Sequence, residues 1–298
     1  MDSTYLLQQI VNGIGLGSIY ALVAIGFSIT YSILRLINFA HGDILMIGSY
    51  CALFIFLSGK VPLVVGLLLA MGFAALIGML VERIAYRPLR TASEESMLIT
   101  SIALSILIEN LGILTVSAQP RKFVFPEVFA KNHELAGVTF NNMTILTVGV
   151  AVLLMILLTF FVKNTRLGTA MRACSENIGV ARLMGIDINI VVAIAFAIGS
   201  ALAAVAGIML GGQYGRIDPL MGFIPGLKAF VAAVIGGIGS IPGAVLGGYL
   251  LGLFEILLVG FLPIEYTGYR DAFVFILLIL VLLLRPNGIL GSAEGRKV

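Results

Sequence analysis

Of the 298 residues, 60% are hydrophobic and 11% charged, with a mean hydropathy of +1.11 and a formal net charge of +3. A soluble domain carries about 25% charged residues, so this chain lacks the charge to cover a water-facing surface. Its basic residues are spread over several loops without forming one patch, which argues against nucleic acid as a partner.

The N-terminus, Met1-Asp2-Ser3-Thr4, has no positive n-region and no small-residue cleavage site, so no cleaved signal peptide is expected. Apolar runs follow one another along the chain: Leu6–Tyr31, Ile37–Leu57, Val61–Val81, Met97–Val116, Met143–Val162, Ile190–Leu210, Pro225–Ile235, Ala244–Leu262 and Ala272–Leu284. A membrane helix needs roughly 17 to 25 apolar residues. The pattern therefore predicts an all-α, polytopic helical membrane protein, read as one transmembrane domain over residues 1–298. It has about eight or nine membrane segments. The seventh run is too short to span comfortably and is expected to be re-entrant or broken. With no tryptophan in the chain, Tyr and Phe must supply any aromatic belt.

The second run contains Asn38, His41 and Asp43 with Gly42 between them. Ionisable groups at membrane depth are costly and mark pathways or relays by default. Gly42 suggests a break whose freed backbone must face protein or water. His41 and Asp43 could form an acid–base pair, as a proton-coupled carrier or an intramembrane enzyme would need. On a continuous helix, though, residues two apart point about 200° from each other. The other reading is polar glue between helices. His133 is the only other histidine, and no His/Cys/Asp cluster has metal-ligand spacing.

The loops set orientation through their Lys and Arg content. Arg83, Arg87 and Arg90 follow the third run; Lys163, Arg166, Arg172 and Arg182 follow the fifth; Arg285, Arg296 and Lys297 end the chain. These three segments are expected to be cytoplasmic, the C-terminus included. Residues 117–142 then form an external loop, ordered by its Phe-Pro content. Alternation puts the N-terminus outside if the first two runs both cross, and inside if one is re-entrant. Cys51 falls in a run and Cys174 in a loop, so no disulfide is expected between them.

Within the cytoplasmic stretch 163–190, residues Thr169–Met184 predict one short amphipathic helix stopped by Gly185. Such a helix either lies on lipid or docks in a groove of a soluble partner. The region 211–252 is rich in glycine, and Gly243/Gly247 and Gly248/Gly252 have the spacing that lets helices approach closely. Gly236-Gly237-Ile238-Gly239-Ser240-Ile241-Pro242-Gly243 has no Gly-Lys-Ser/Thr ending, which excludes a phosphate-binding loop. It reads as a broken segment lining a pathway or as a tight hairpin. Lys228 nearby needs a partner or a water-filled vestibule. Gly15–Ile19 and Gly237–Ile241 match at all but one position, an echo that chance explains in so glycine-rich a chain.

Asn38-Phe39-Ala40-His41-Gly42-Asp43, followed by Met46-Ile47-Gly48-Ser49-Tyr50, resembles the signature of LivH-type permeases. The resemblance runs nearly end to end. It includes Asn12-Gly13, Gly17–Leu22, Glu82–Arg90, Ala181–Ile186, Lys228-Ala229-Phe230, Gly236–Ala244 and Arg285–Gly291. These permeases are membrane subunits of branched-chain amino acid ABC importers in the bacterial plasma (inner) membrane. The resemblance implies a second permease of the LivM type, two ATPases of the LivG and LivF types, and an extracytoplasmic binding protein. ATP and Mg would be used by the ATPases, with no cofactor bound by this chain, and the chain itself would not be an enzyme. It also implies a cytoplasmic coupling helix, here with Arg172, Glu176, Ala181, Arg182 and Gly185 at the ATPase contact. Asn38, His41, Asp43, Lys228, Gly236, Gly237, Gly239 and Ser240 are placed around the pathway. The alternative within the same family is an ABC permease for urea or short-chain amides, since urea permeases of this family share the Asn-Phe-Ala-His-Gly type of motif. From another class, a stand-alone proton-coupled carrier would use His41 and Asp43.

Overall fold

The computed structural model describes residues 3–135 and 137–291; Arg296 and Lys297 lie outside them. Eleven α-helices are present among these: α1 Ser3–Leu34, α2 His41–Leu57, α3 Leu63–Val81, α4 Glu94–Thr115, α5 Asn142–Asn164, α6 Arg166–Glu176, α7 Ile178–Leu183, α8 Ile188–Tyr214, α9 Phe223–Gly236, α10 Ile241–Phe261 and α11 Arg270–Leu284. Seven helical segments are long and apolar enough to cross a membrane. Two are extended by tight turns: α3 continues through a π turn, Glu82–Tyr86, into a 3-10 turn, and a 3-10 turn at Ile264–Tyr269 precedes α11. The two shorter apolar helices are α2 and α9. At 1.5 Å per residue they cover only part of a bilayer core of about 30 Å. Each of the nine apolar runs contains a helix, the second only from His41, and both the second and the seventh helices are short. Four small strands accompany them: β1 Arg121–Lys122, β2 Asn132–Leu135, β3 Val138–Asn141 and β4 Arg216–Ile217, paired β1–β4 and β2–β3.

Contacts sort the loops into two ends of the bundle. At one, the Gln8 amide donates to the Thr139 carbonyl and the Tyr5 hydroxyl to that of Gly260. There too β1 pairs with β4, and Phe56 at the end of α2 packs on Phe123. At the other, Arg90 donates to the Asn189 side chain and the Ile289 amide to the Ile235 carbonyl. Helices α1, α3, α5, α9 and α11 therefore run toward this second end, and α4, α8 and α10 away from it. Ser3, the first described residue, lies in the helix that begins at the end holding 117–135 and 137–141, and residues 289–291 lie at the opposite one.

Helix α1 is the hub. Its residues from Gly15 to Thr30 are buried without interruption, so it has no lipid-facing side along that length. Its neighbours follow an inverted repeat: α1 lies on α10 as α8 lies on α3, while α2 packs on α8 as α9 packs on α1. At the centre, a Cβ on Gly26 would meet the Gly199 carbonyl oxygen at 2.8 Å, and one on Gly199 would meet that of Gly26 at 2.9 Å. Gly42 and Gly222 are reciprocal in the same way. The starts of α2 and α9 thus meet inside the bundle and the two half-helices point to opposite ends, an arrangement that transporters use at midplane. The Gly15–Ile19 echo is unrelated to this repeat. It lies within α1, whose counterpart is α8, whereas Gly237–Ile241 is the α9–α10 turn.

Both cysteines are free. Cys174 is buried, and burial pushes its thiol up from its ordinary range. A maleimide is expected to label Cys174 at least tenfold faster in the denatured chain than in the native one, because the thiolate is the nucleophile. Peptide mass spectrometry would read the difference.

Candidate functional site

The second helix begins at His41, not at Ile37, and residues 35–40 form the irregular link that returns the chain into the bundle. Arg35, at φ 54°, turns the chain out of α1 in the left-handed region. Asn38 is buried, and its Oδ1 accepts a 2.6 Å hydrogen bond from the Tyr86 hydroxyl. Tyr86 in turn lies on Phe196, with ring centroids 5.4 Å apart. Below it, buried Glu82 forms an ion pair with Arg90. The run Glu82–Arg90 therefore clamps the end of α3 to the 35–40 link and to the start of α8.

The expected break at Gly42 is displaced, because Gly42 itself is helical. His41 and Asp43 are consequently held apart, facing different neighbours. The His41 ring packs edge-on against Phe27 at 6.2 Å on α1, interacts with the Val23 carbonyl, and leaves Nε2 without a hydrogen-bond partner. Asp43 faces Ser105 on α4. It is fully buried and forms no ion pair among the described residues. An acid–base pair is not assembled in this geometry.

Lys228 has the partner its burial requires. Its ammonium lies 2.7 Å from Glu255 on α10 and 2.7 Å from Asp271 on α11. Glu255 also accepts a 2.8 Å hydrogen bond from the Tyr20 hydroxyl, and Arg270 approaches both carboxylates at 3.7 Å. Two cations and two carboxylates from three helices thus neutralise one another, and Lys228 also faces the Tyr20 ring at 5.9 Å. The reading of Lys228 as a pathway residue missed Tyr20, Glu255, Arg270 and Asp271. Glu255 is a lone carboxylate in an apolar run and could have been flagged from sequence alone.

The glycine run is chiefly a hairpin. Gly237 and Gly239 adopt φ of 113° and 85°, which L side chains rarely tolerate. A Cβ on Gly236 would meet the Gly243 carbonyl, and one on Gly237 the Gly291 backbone. The Leu290 amide also donates to the Gly236 carbonyl at 2.8 Å. The motif at Arg285–Gly291 is therefore the strap that closes over this turn. Gly239 and Ser240, but not Gly236 and Gly237, line a cavity of about 800 Å³ together with Tyr31, Arg35 and Glu176.

Residues 169–184, expected as one helix, form two. Asn177 is extended at φ −158° and ψ 108°, and its side chain accepts the Val180 amide at 3.0 Å, capping α7 while ending α6. Gly185, at φ 81°, ends the segment as expected. Arg172, Glu176, Arg182 and Gly185 are exposed. Ala181 is buried against the bundle instead. The outward tip consists of Val180, Leu183 and Met184, which are 54%, 87% and 78% exposed. Three apolar side chains bared beyond the membrane-spanning helices make a surface that wants a cover.

Comparison with known proteins fits this architecture. A family model described as "Branched-chain amino acid transport system / permease component" matches residues 9–282. The chain is 46% identical to the high-affinity branched-chain amino acid transport system permease protein BraD of Pseudomonas aeruginosa, over 99% of this chain and 98% of that one. It is 43% identical to LivH of Escherichia coli, described in the same words, with the same coverage. A probable LivH of Methanocaldococcus jannaschii is 32% identical over 92% of this chain and 89% of its own. With matches of that extent, the chain belongs to the family of branched-chain amino acid transport system permeases, a multi-pass transport subunit and not an enzyme.

Proposed function

We propose that this chain is the membrane-crossing permease of an ATP-driven importer for branched-chain amino acids, worked by separate ATPases docked on α6–α7. The observation that carries this is the apolar tip Val180–Leu183–Met184, held at one end of the bundle by two capped helices. A LivG- and LivF-like ATPase pair supplies a groove for it and uses ATP and Mg, while a LivM-like permease forms the other half of the membrane unit. Arg172, Arg182 and Glu176 flank the tip and give the contact its polar rim.

Orientation follows from the charges. The end carrying Arg83, Arg87, Arg90, Lys163, Arg166, Arg182 and Arg285 is cytoplasmic by the positive-inside rule. Residues 117–141 and the N-terminus are then external, and the strand-paired loop there is the landing surface for a binding protein. The position suits the bacterial plasma membrane. ATP binding closes the ATPase pair, α6–α7 moves with it, and the cavity opens alternately to the two sides. The helices must have different contact energies in the two states for this to work. The buried starts of α2 and α9, with Asn38, His41 and Asp43, sit where opposing halves can rock on each other. Gly239 and Ser240 line the inner vestibule.

The test is co-purification from a membrane that contains the whole system. Leu183→Asp combined with Met184→Asp leaves the bundle untouched, since both side chains are exposed. It is expected to reduce recovery of the ATPases at least tenfold while the second permease stays bound. Full recovery of the ATPases with this variant would remove the docking assignment.

A further inference from the structure

A cavity of about 610 Å³ opens between α4 and the start of α9, with Phe39 in its wall. Small-molecule sites span roughly 300–1,000 Å³ and combine apolar walls with a few polar groups. Here the walls include Ile106, Leu220, Phe223 and Leu227, and the only polar lining groups are Ser105 and Glu109. Glu109 lies within the apolar helix α4 and forms no ion pair among the described residues. A carboxylate in a membrane helix that faces a cavity is a functional site by default.

A second observation lies behind the wall. Asp43 faces Ser105, is fully buried, and forms no ion pair among the described residues. Among the described residues no lysine or arginine lines the cavity. Two carboxylates without a cation, beside an apolar space, lack an occupant that is positive at one end and apolar at the other. An isolated buried carboxylate is costly until such a partner arrives. The adjoining start of α9 has no side-chain cap and carries the positive end of the helix dipole, where a carboxylate is stabilised.

We propose that this cavity is a transit site for the free amino acid, with Glu109 taking its α-ammonium group and the Ile106–Leu220–Phe223–Leu227 wall taking its branched side chain. The assignment rests on the importer reading above and gives the permease a site of its own. Ser105 lines the ammonium end beside Glu109, and the start of α9 receives the carboxylate.

The experiment uses the complete transporter in vesicles, with ATP and binding protein, and a diazirine analogue of leucine as the probe. Photolabelling is expected on peptides spanning residues 102–109 and 220–227. It should fall at least tenfold in Glu109→Gln and recover in part in Glu109→Asp. In the unaltered transporter labelled without binding protein, so that the permease alone selects, excess leucine should compete, whereas 4-methylpentanoate, which lacks the amine, should not. Labelling elsewhere, unchanged labelling in Glu109→Gln, or equal competition by 4-methylpentanoate overturns the site. Failure of the unaltered transporter to accumulate leucine at all overturns the importer reading instead, and the site with it. The competition arm needs no variant, so a misfolded substitution cannot decide the outcome.

Discussion

Lys228→Ala is expected to destabilise the chain by about 3–5 kcal/mol, the cost of breaking a buried ion pair from one side. Glu255 is 3% exposed, so removing the ammonium leaves a carboxylate in the bundle interior. Its remaining support is the Tyr20 hydroxyl and Arg270 at 3.7 Å. Because Lys228 joins α9 to α10 and α11, loosening should begin at the half-helix and spread to α11, which buries little of its own surface. Thermal unfolding in detergent reads the loss. Lys228→Met with Glu255→Gln should recover most of it, since an uncharged pair carries no unpaired buried charge. If Lys228→Ala unfolds at the same temperature as the unaltered chain, the network contributes nothing to holding α9.

Gly42→Val is expected to abolish transport and to cost about 1–3 kcal/mol through overpacking. A Cβ there would run into the Gly222 carbonyl and come within 2.9 Å of the Gly226 Cα. Both are backbone, so no side chain can swing aside. The starts of α2 and α9 must separate, and the reciprocal Gly222→Val should produce the same loss. Since the two glycines share one contact, the double variant should be far less than additive. Amino acid uptake in vesicles checks the transport loss, and unfolding in detergent checks the stability. Normal uptake by Gly42→Val would show that the two helix starts need not meet.

The membrane architecture was legible in the sequence because hydrophobicity at a period longer than any loop is a strong signal. Each of the nine apolar runs contains a helix, and the short seventh run became α9. Local boundaries were harder to read. Asn38 looked as though it lay within a span, yet the helix starts at His41, and the irregular residues are tied down by Tyr86 from an element 48 positions away. Asn177 split an expected single helix by capping the next one, a role that any polar residue in a loop could have played. Ala181 shared an apolar side with its neighbours on paper, but the break at Asn177 turned it inward while Leu183 and Met184 faced out.

The candidate site was half legible. Asn38, His41 and Asp43 stood out because polar residues are rare in apolar runs, and they do converge on the centre of the fold. What each one meets depends on helices brought together by tertiary packing, which spacing along the chain does not encode. The partners of Lys228 lie on α10 and α11, and the glycines at Gly236 and Gly237 answer to a strap from residues 288–291. Glu109 carried the same signal as Asp43, a carboxylate in an apolar helix, but without a motif around it.

The most direct measurement is leucine uptake by vesicles that hold this chain with a partner permease and both ATPases, with loaded binding protein outside. The importer account predicts uphill uptake only when ATP is supplied to the ATPases, and its loss in the Leu183→Asp, Met184→Asp variant. Uptake by this chain alone, driven by a proton gradient without ATP, would contradict it.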